Sequence, residues 1–179
     1  MKDFLGDFFK LRDPKSIALF CSNDSYSVSD IKKLSEVISK ELKKFNKINS
    51  AQSFLIDSSE PMLFISALFA IIENGFTAVC WDGASNPHNL AELTSSVASI
   101  TPNKNRVKYK DFNINNLQID NWVLNHPGDL VVTTSGSTGS PKGVSLNAES
   151  VICNAFLAGK ALELSKKHLD CWIIDIELN

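Results

Sequence analysis

At 179 residues, 44% hydrophobic and 21% charged, the chain carries enough apolar content for one core and reads as a single domain over residues 1–179. A formal net charge of −2 gives no basic footprint for nucleic acid, and Lys32-Lys33 and Lys43-Lys44 are read as solvated helix faces. The longest apolar run, residues 62–72, falls short of the ~20 residues that cross a bilayer, so no membrane span is expected.

From the N-terminus, Met1-Lys2-Asp3-Phe4 has charges with no apolar stretch behind them, and no signal peptide is expected. Ile17-Ala18-Leu19-Phe20 suits a short strand. Ser27 and Asp30 then have the spacing of a helix start, with Ser27 as the cap. Ile31, Leu34, Val37, Ile38, Leu42 and Phe45 recur at helical spacing, opposite Lys32, Lys33, Glu36, Lys40 and Lys43. This predicts an amphipathic helix over residues 29–45 that turns Ile31, Leu34, Ile38 and Leu42 toward a sheet. Phe54-Leu55-Ile56 reads as a buried strand. A polar turn over residues 57–61 ends in Pro61, which the first turn of a helix tolerates. The helix expected over 61–73 is apolar on nearly every face and therefore buried. Asn74-Gly75 stops it, glycine being suited to a left-handed terminus. Residues 76–80 follow as a strand. Strand, helix and strand with short connections make a parallel crossover unit.

Residues 82–128 read as less regular, punctuated by Asn86-Pro87, Thr101-Pro102-Asn103 and His126-Pro127-Gly128. Leu130-Val131-Val132 is then a buried strand that runs into a glycine-rich stretch. A helix over 148–164, with Asn147 as cap, and a final strand over 171–176 complete the series. The alternation predicts an α/β fold with a mainly parallel, doubly covered sheet. Cys21, Cys80, Cys153 and Cys171 are far apart, and His88, His126 and His168 do not cluster with them. No zinc site or disulfide framework is expected, and a reducing, cytoplasmic setting fits better.

The stretch "TTSGSTGSPKGVSLN", residues 133–147, carries the chemistry. Open α/β sheets bind ligands in loops at the carboxyl ends of their strands. Gly136 and Gly139 allow backbone N–H groups to turn inward around an anion. Ser135, Ser137 and Thr138 add hydroxyls, and Lys142 either adds charge or anchors the loop from the solvent side. Phosphate or pyrophosphate is the natural guest. A Walker loop is rejected: counted from Gly136, Pro141 falls on the second required glycine and Gly143 on the metal-binding hydroxyl. A Gly/Ser-rich linker is the competing reading. The ordered string placed directly after an apolar strand weighs against it.

Residues 134–144, "TSGSTGSPKGV", resemble the phosphate-loop signature of the adenylate-forming superfamily of acyl-CoA synthetases, adenylation domains and luciferases. The likeness extends to "YSVSDIKKLSEVISKEL" (26–42), similar to an early family helix, and to "PGDLVVTTSG" (127–136) at the loop's entry. "IIENGFTAVCWD" (71–82) resembles a family segment with Gly75 and Asp82 in register, but Cys80 stands where proline is usual. Asn147 and Ala148 replace a Thr-His pair, and Glu177 replaces a proline.

The resemblance implies a partial N-terminal subdomain of an adenylate-forming enzyme. Its phosphate loop would be 134–144, and its C-terminal domain would be absent. The ribose-binding Asp and the catalytic lysine of the family would lie beyond residue 179. The implied reaction activates a carboxylic acid with ATP as an acyl-adenylate, releasing pyrophosphate. Magnesium would accompany the ATP, and coenzyme A is a candidate second substrate. Thr134, Ser135, Gly136, Ser137, Thr138, Gly139 and Lys142 would bind the phosphates; no catalytic residue or metal ligand is assigned. The chain alone is expected to be inactive and to need the missing C-terminal remainder. The alternative is a truncated, non-catalytic nucleotide- or partner-binding module.

Overall fold

The computed structural model describes residues 9–10, 12–21, 24–45, 52–82, 86–103, 106–112, 129–134 and 142–161. Strand β1 (Ile17–Cys21) pairs antiparallel with β2 (Asp24–Ser27) in a small separate sheet. Residues 24–27 showed no apolar run, so β2 was not expected.

Helix α1 (Val28–Leu42) begins where the Ser27/Asp30 spacing put it. The Ser27 hydroxyl accepts the Asp30 N–H at 3.2 Å, and an Asp30 carboxylate oxygen accepts the Ser27 N–H at 3.0 Å. Two orphan donors are thereby satisfied reciprocally. The Ser27 hydroxyl, which donates to the Asp30 carboxylate at 2.6 Å, and after it the Ser27 N–H hold the Asp30 carboxyl below its ordinary range. Ile31, Ile38 and Leu42 are buried and Leu34 is half-buried against the same cluster, whereas Val37 lies on the outer side at 53% exposure. A 3-10 turn over Lys43–Phe45 follows, so the regular helix ends before the predicted boundary.

Strand β3 (Ser53–Asp57), helix α2 (Pro61–Glu73) and strand β4 (Thr77–Trp81) form the expected crossover, with Phe54 opposite Ala78 and Ile56 opposite Cys80 in parallel register. Glu60 caps α2 by accepting the Leu63 N–H. At the other end Gly75 has φ +78°; its N–H reaches the Ile72 carbonyl, and the Phe76 N–H reaches that of Ile71. That pair of bonds is a Schellman stop.

The described part of residues 82–128 is more regular than expected. They contain α3 (Pro87–Thr94), β5 (Ser96–Asn103) and β6 (Arg106–Asp111). Strand β5 escaped notice because Ser96, Ala98 and Ser99 break its apolar pattern and Pro102 interrupts it. Those small residues are buried, so β5 is selected by fit rather than by hydrophobicity. Pro102 is tolerated because pairing with β3 ends at Ile100, leaving only β6 alongside.

Strands β7 (Leu130–Thr134) and β8 (Lys142–Leu146) complete a six-stranded sheet in the order β6-β5-β3-β4-β7-β8. The four inner strands are parallel, and β6 and β8 return antiparallel at the edges. Both faces are covered. Phe54, Ile56, Ala78, Ala98 and Ile100 meet α1 and α2 on one side, and Leu55, Val79, Trp81 and Val131 meet Leu90 and Ala91 of α3 on the other. This is the mainly parallel, doubly covered α/β sheet read from the sequence. Helix α4 (Ala148–Ala161) follows β8. The strand expected over 171–176 lies outside the described residues. Among the described residues, no helix is long and apolar enough to cross a membrane.

Candidate functional site

Asp57, Trp81 and Thr134 terminate three adjacent parallel strands, β3, β4 and β7. Helix α2 leaves β3 on one face of the sheet and α3 follows β4 on the other. Connections that part to opposite faces open a crevice at the carboxyl edge between the strands. The Ser58 N–H donates to the Trp81 carbonyl at 2.8 Å, carrying the β3–β4 ladder one step past the strands. Asp57 is buried, and its Oδ1 accepts the Ser59 N–H at 2.9 Å, which fixes the turn into α2.

The glycine-rich stretch joins this edge as the connection of a hairpin. In register, Leu130 faces Leu146, Val132 faces Val144 and Thr134 faces Lys142. Of the residues singled out for phosphate, Thr134 is thus the last of β7 and Lys142 the first of β8. Opposed residues in an antiparallel ladder are about 4.5–5.5 Å apart. The two ends of the stretch are therefore held side by side. Ser135, Gly136, Ser137, Thr138 and Gly139 lie outside the described residues. The sequence reading ran from the loop directly to a helix and missed β8. Gly143, Ser145 and Pro141 dilute the apolar signal of Val144 and Leu146.

The β4–β7 ladder is short, with Ala78 opposite Leu130 and Val79 opposite Val131. Beyond it the Thr133 hydroxyl makes a long 3.5 Å contact to the Cys80 carbonyl. Cys80 is buried, and desolvation pushes its thiol up to about 12. A thiol so held is protonated at neutral pH and is no nucleophile.

Asp129 was not singled out from sequence, although it stands between Gly128 and the first apolar residue of β7. Three of its polar atoms are bonded. Its carbonyl accepts the Ala78 N–H at 2.9 Å, its N–H donates to the Leu146 carbonyl at 3.0 Å, and its Oδ2 accepts the Ala148 N–H at 2.9 Å. Asn147 caps α4 as expected, its side-chain oxygen accepting the Glu149 N–H at 2.8 Å. Among the described residues, no group of three or more His, Cys, Asp or Glu side chains is arranged to hold a metal ion.

Solved structures with the same arrangement decide the fold. O-succinylbenzoate coenzyme A synthetase (MenE) from Bacillus subtilis, in complex with ATP and a magnesium ion, matches 90% of this chain at a TM-score of 0.62 and 17% identity. The fold is that of the N-terminal portion of adenylate-forming enzymes. The Klebsiella oxytoca NpsA N-terminal subdomain, in complex with 3-hydroxybenzoyl-AMSN, matches 81% at a TM-score of 0.52 and 18% identity. An ATP-bound RpMatB-BxBclM chimera matches 92% at a TM-score of 0.64 and 13% identity. The chain spans less than half of these structures: 47% of the MenE chain, 40% of the NpsA chain and 39% of the chimera. No protein-family model and no curated protein matches the sequence.

Proposed function

We propose that residues 1–179 form the N-terminal part of an ATP-dependent acid–thiol ligase. The whole enzyme converts a carboxylic acid to an acyl-adenylate and releases pyrophosphate, with coenzyme A as candidate acceptor and the cytoplasm as its setting. One observation carries this reading: the string Thr134–Val144 sits in a hairpin whose ends, Thr134 and Lys142, are paired at the carboxyl edge of a sheet with the adenylate-forming fold. In this reading Ser135, Ser137 and Thr138, with Thr134, donate to phosphate oxygens. Gly136 and Gly139 allow close backbone approach, and Lys142 supplies positive charge. The donor set is cationic and hydroxylic, which suits phosphate. Magnesium enters bound to the nucleotide and neutralises part of its charge. The loop's contribution is positioning and charge stabilisation while the carboxylate attacks the α-phosphorus.

Pyrophosphate titrated into isotope-labelled protein tests the assignment. The expected result is amide shifts confined to residues 135–143, with an affinity on the order of millimolar. Lys142→Ala combined with Ser137→Ala should abolish them. Shifts elsewhere, or none at high millimolar pyrophosphate, would reduce the loop to a linker. A second reading, a non-catalytic nucleotide- or partner-binding module, is favoured by Ala148 and Glu177 standing where the family signature has other residues. Joining the chain to the remainder of its enzyme and assaying acid-dependent ATP–pyrophosphate exchange separates the two. The ligase reading requires exchange there and none from residues 1–179 alone.

A further inference from the structure

We propose that His88 is a pH-dependent latch between α3 and β6: unprotonated it is held by Lys110, and protonated it turns to Glu92 on its own helix. Lys110 Nζ lies 3.1 Å from His88 Nε2. An ammonium group has donors only, so Lys110 donates and Nε2 offers its lone pair. The contact therefore requires a neutral imidazole whose proton is on Nδ1. The ring is also seated. It stands edge-on to Phe112, with centroids 5.2 Å apart and planes at 75°. Phe112 is itself buried in the cluster of Leu55, Trp81, Leu90 and Val131.

Protonation removes the Nε2 lone pair and sets two cations against each other, so the bond is lost. The first turn of α3, which begins at Pro87, is also a poor place for a bare cation, because the helix N–H groups there carry partial positive charge. Glu92 stands one turn further along, four residues from His88, and is exposed. Residues so spaced share a face, and helical side chains lean toward the N-terminus, so the Glu92 carboxylate can reach the charged ring. The Phe112 ring accepts either form of the imidazole, and the ring pivots against it. Lys108 alternates onto the same face of β6 as Lys110 and adds like charge, whereas Asp111 alternates to the other face. Helix α3 packs on β3 and β5. Strand β5 has no titratable residue, and the one in β3, Asp57, is buried and accepts the Ser59 N–H. Asp82, which precedes α3, already makes an interaction. Helix α3 follows β4 on one side of the crevice. The latch ties that wall to the edge of the sheet above the histidine range and frees it below.

The test reads imidazole nitrogen signals, side-chain carboxyl signals and amide protection by NMR at about pH 8 and about pH 5, on either side of the histidine range. It compares the wild-type chain with Lys110→Met and His88→Gln, both at exposed positions that leave the core intact. At the higher pH the wild-type ring should carry its proton on Nδ1, and Lys110→Met should return it to the ordinary Nε2–H form. Amide protection over residues 88–92 and 106–111, referred to the unstructured rate at each pH, should fall about twofold at the lower pH, the size of an exposed polar contact. His88→Gln keeps an uncharged acceptor and should abolish that fall. The Glu92 carboxyl signal should move as His88 titrates and should lose that step in His88→Gln. A wild-type ring with its proton on Nε2 at the higher pH would overturn the proposal, and so would an equal fall in protection in His88→Gln. A Glu92 signal that does not follow His88 would overturn the second position of the latch.

Discussion

Ser95 ends α3 with φ 56°, the one non-glycine residue in the left-handed region among the described residues. A Cβ there costs about 1–2 kcal/mol. Its hydroxyl is also buried without a partner, although neighbouring Thr94 and Ser96 bond to each other at 2.7 Å. Ser95→Gly removes both faults and gives back part of the gain as chain entropy. The expected outcome is stabilisation of about 0.5–1 kcal/mol in urea unfolding. Ser95→Ala keeps the strain, and equal behaviour of the two variants would show that the backbone angle is not the cause. Cys80 offers a second test at this scale. Cys153 is exposed and Cys80 buried, so iodoacetamide should label Cys153 and spare Cys80 until the protein unfolds. Burial raises the Cys80 thiol from 9.0 to about 12. A raised value means that the unfolded chain loses this proton first. The thiol's share of stability is intact below pH 9.0 and is lost as pH rises toward about 12. Cys80→Ala should flatten the stability curve over that range, and an unchanged alkaline slope would assign the loss to other groups.

At the scale of elements, α1 shows how far spacing alone carries. Ile38 is fully buried and Val37, its chain neighbour, is 53% exposed. Ile38→Ala should cost about 2–5 kcal/mol and Val37→Ala at most about 0.5 kcal/mol. Similar losses at both positions in chemical denaturation would mean that the helix is rotated from the arrangement described. Elements whose signal is apolar periodicity or a terminus motif were legible: α1 from Ser27 and Asp30, α2 from Pro61 and Gly75, β3, β4 and β7 from their apolar runs. Strands β5 and β8 were not. Strand β5 is buried by its position between β3 and β6, whereas β8 is a partly exposed edge strand beside β7, and small or polar residues such as Ser99 and Gly143 fill them. No local pattern in the chain encodes that neighbourhood.

For the whole molecule, the α/β class and the parallel core were readable because β3-α2-β4 is a local unit. Strand order was not, since β5 returns past β4 to lie beside β3. The same division holds for the site. The string at 134–144 carries the proposed anion chemistry in its own order of residues, whereas the partnership of Asp129 with Ala78, Leu146 and Ala148 depends on contacts far apart in the chain.

The place of β7 in the sheet bears on how the molecule assembles. Its neighbour β4 ends at Trp81, and the chain passes through α3, β5 and β6 before Leu130 comes back to Ala78. Closing a long connection is entropically costly before any contact rewards it. Helix α2 with β3 and β4 closes over a short span, so it suits the folding nucleus, and the β7–β8 hairpin docks after the main barrier. Val131 is fully buried, so Val131→Ala should be clearly destabilising. In stopped-flow measurements it should speed unfolding and leave the refolding rate nearly unchanged, whereas Ile71→Ala in α2 should slow refolding. A refolding rate that falls with Val131→Ala in proportion to its stability loss would place β7 in the nucleus instead. The β7–β8 hairpin is then the last part of the sheet to be gained and the first to be given up.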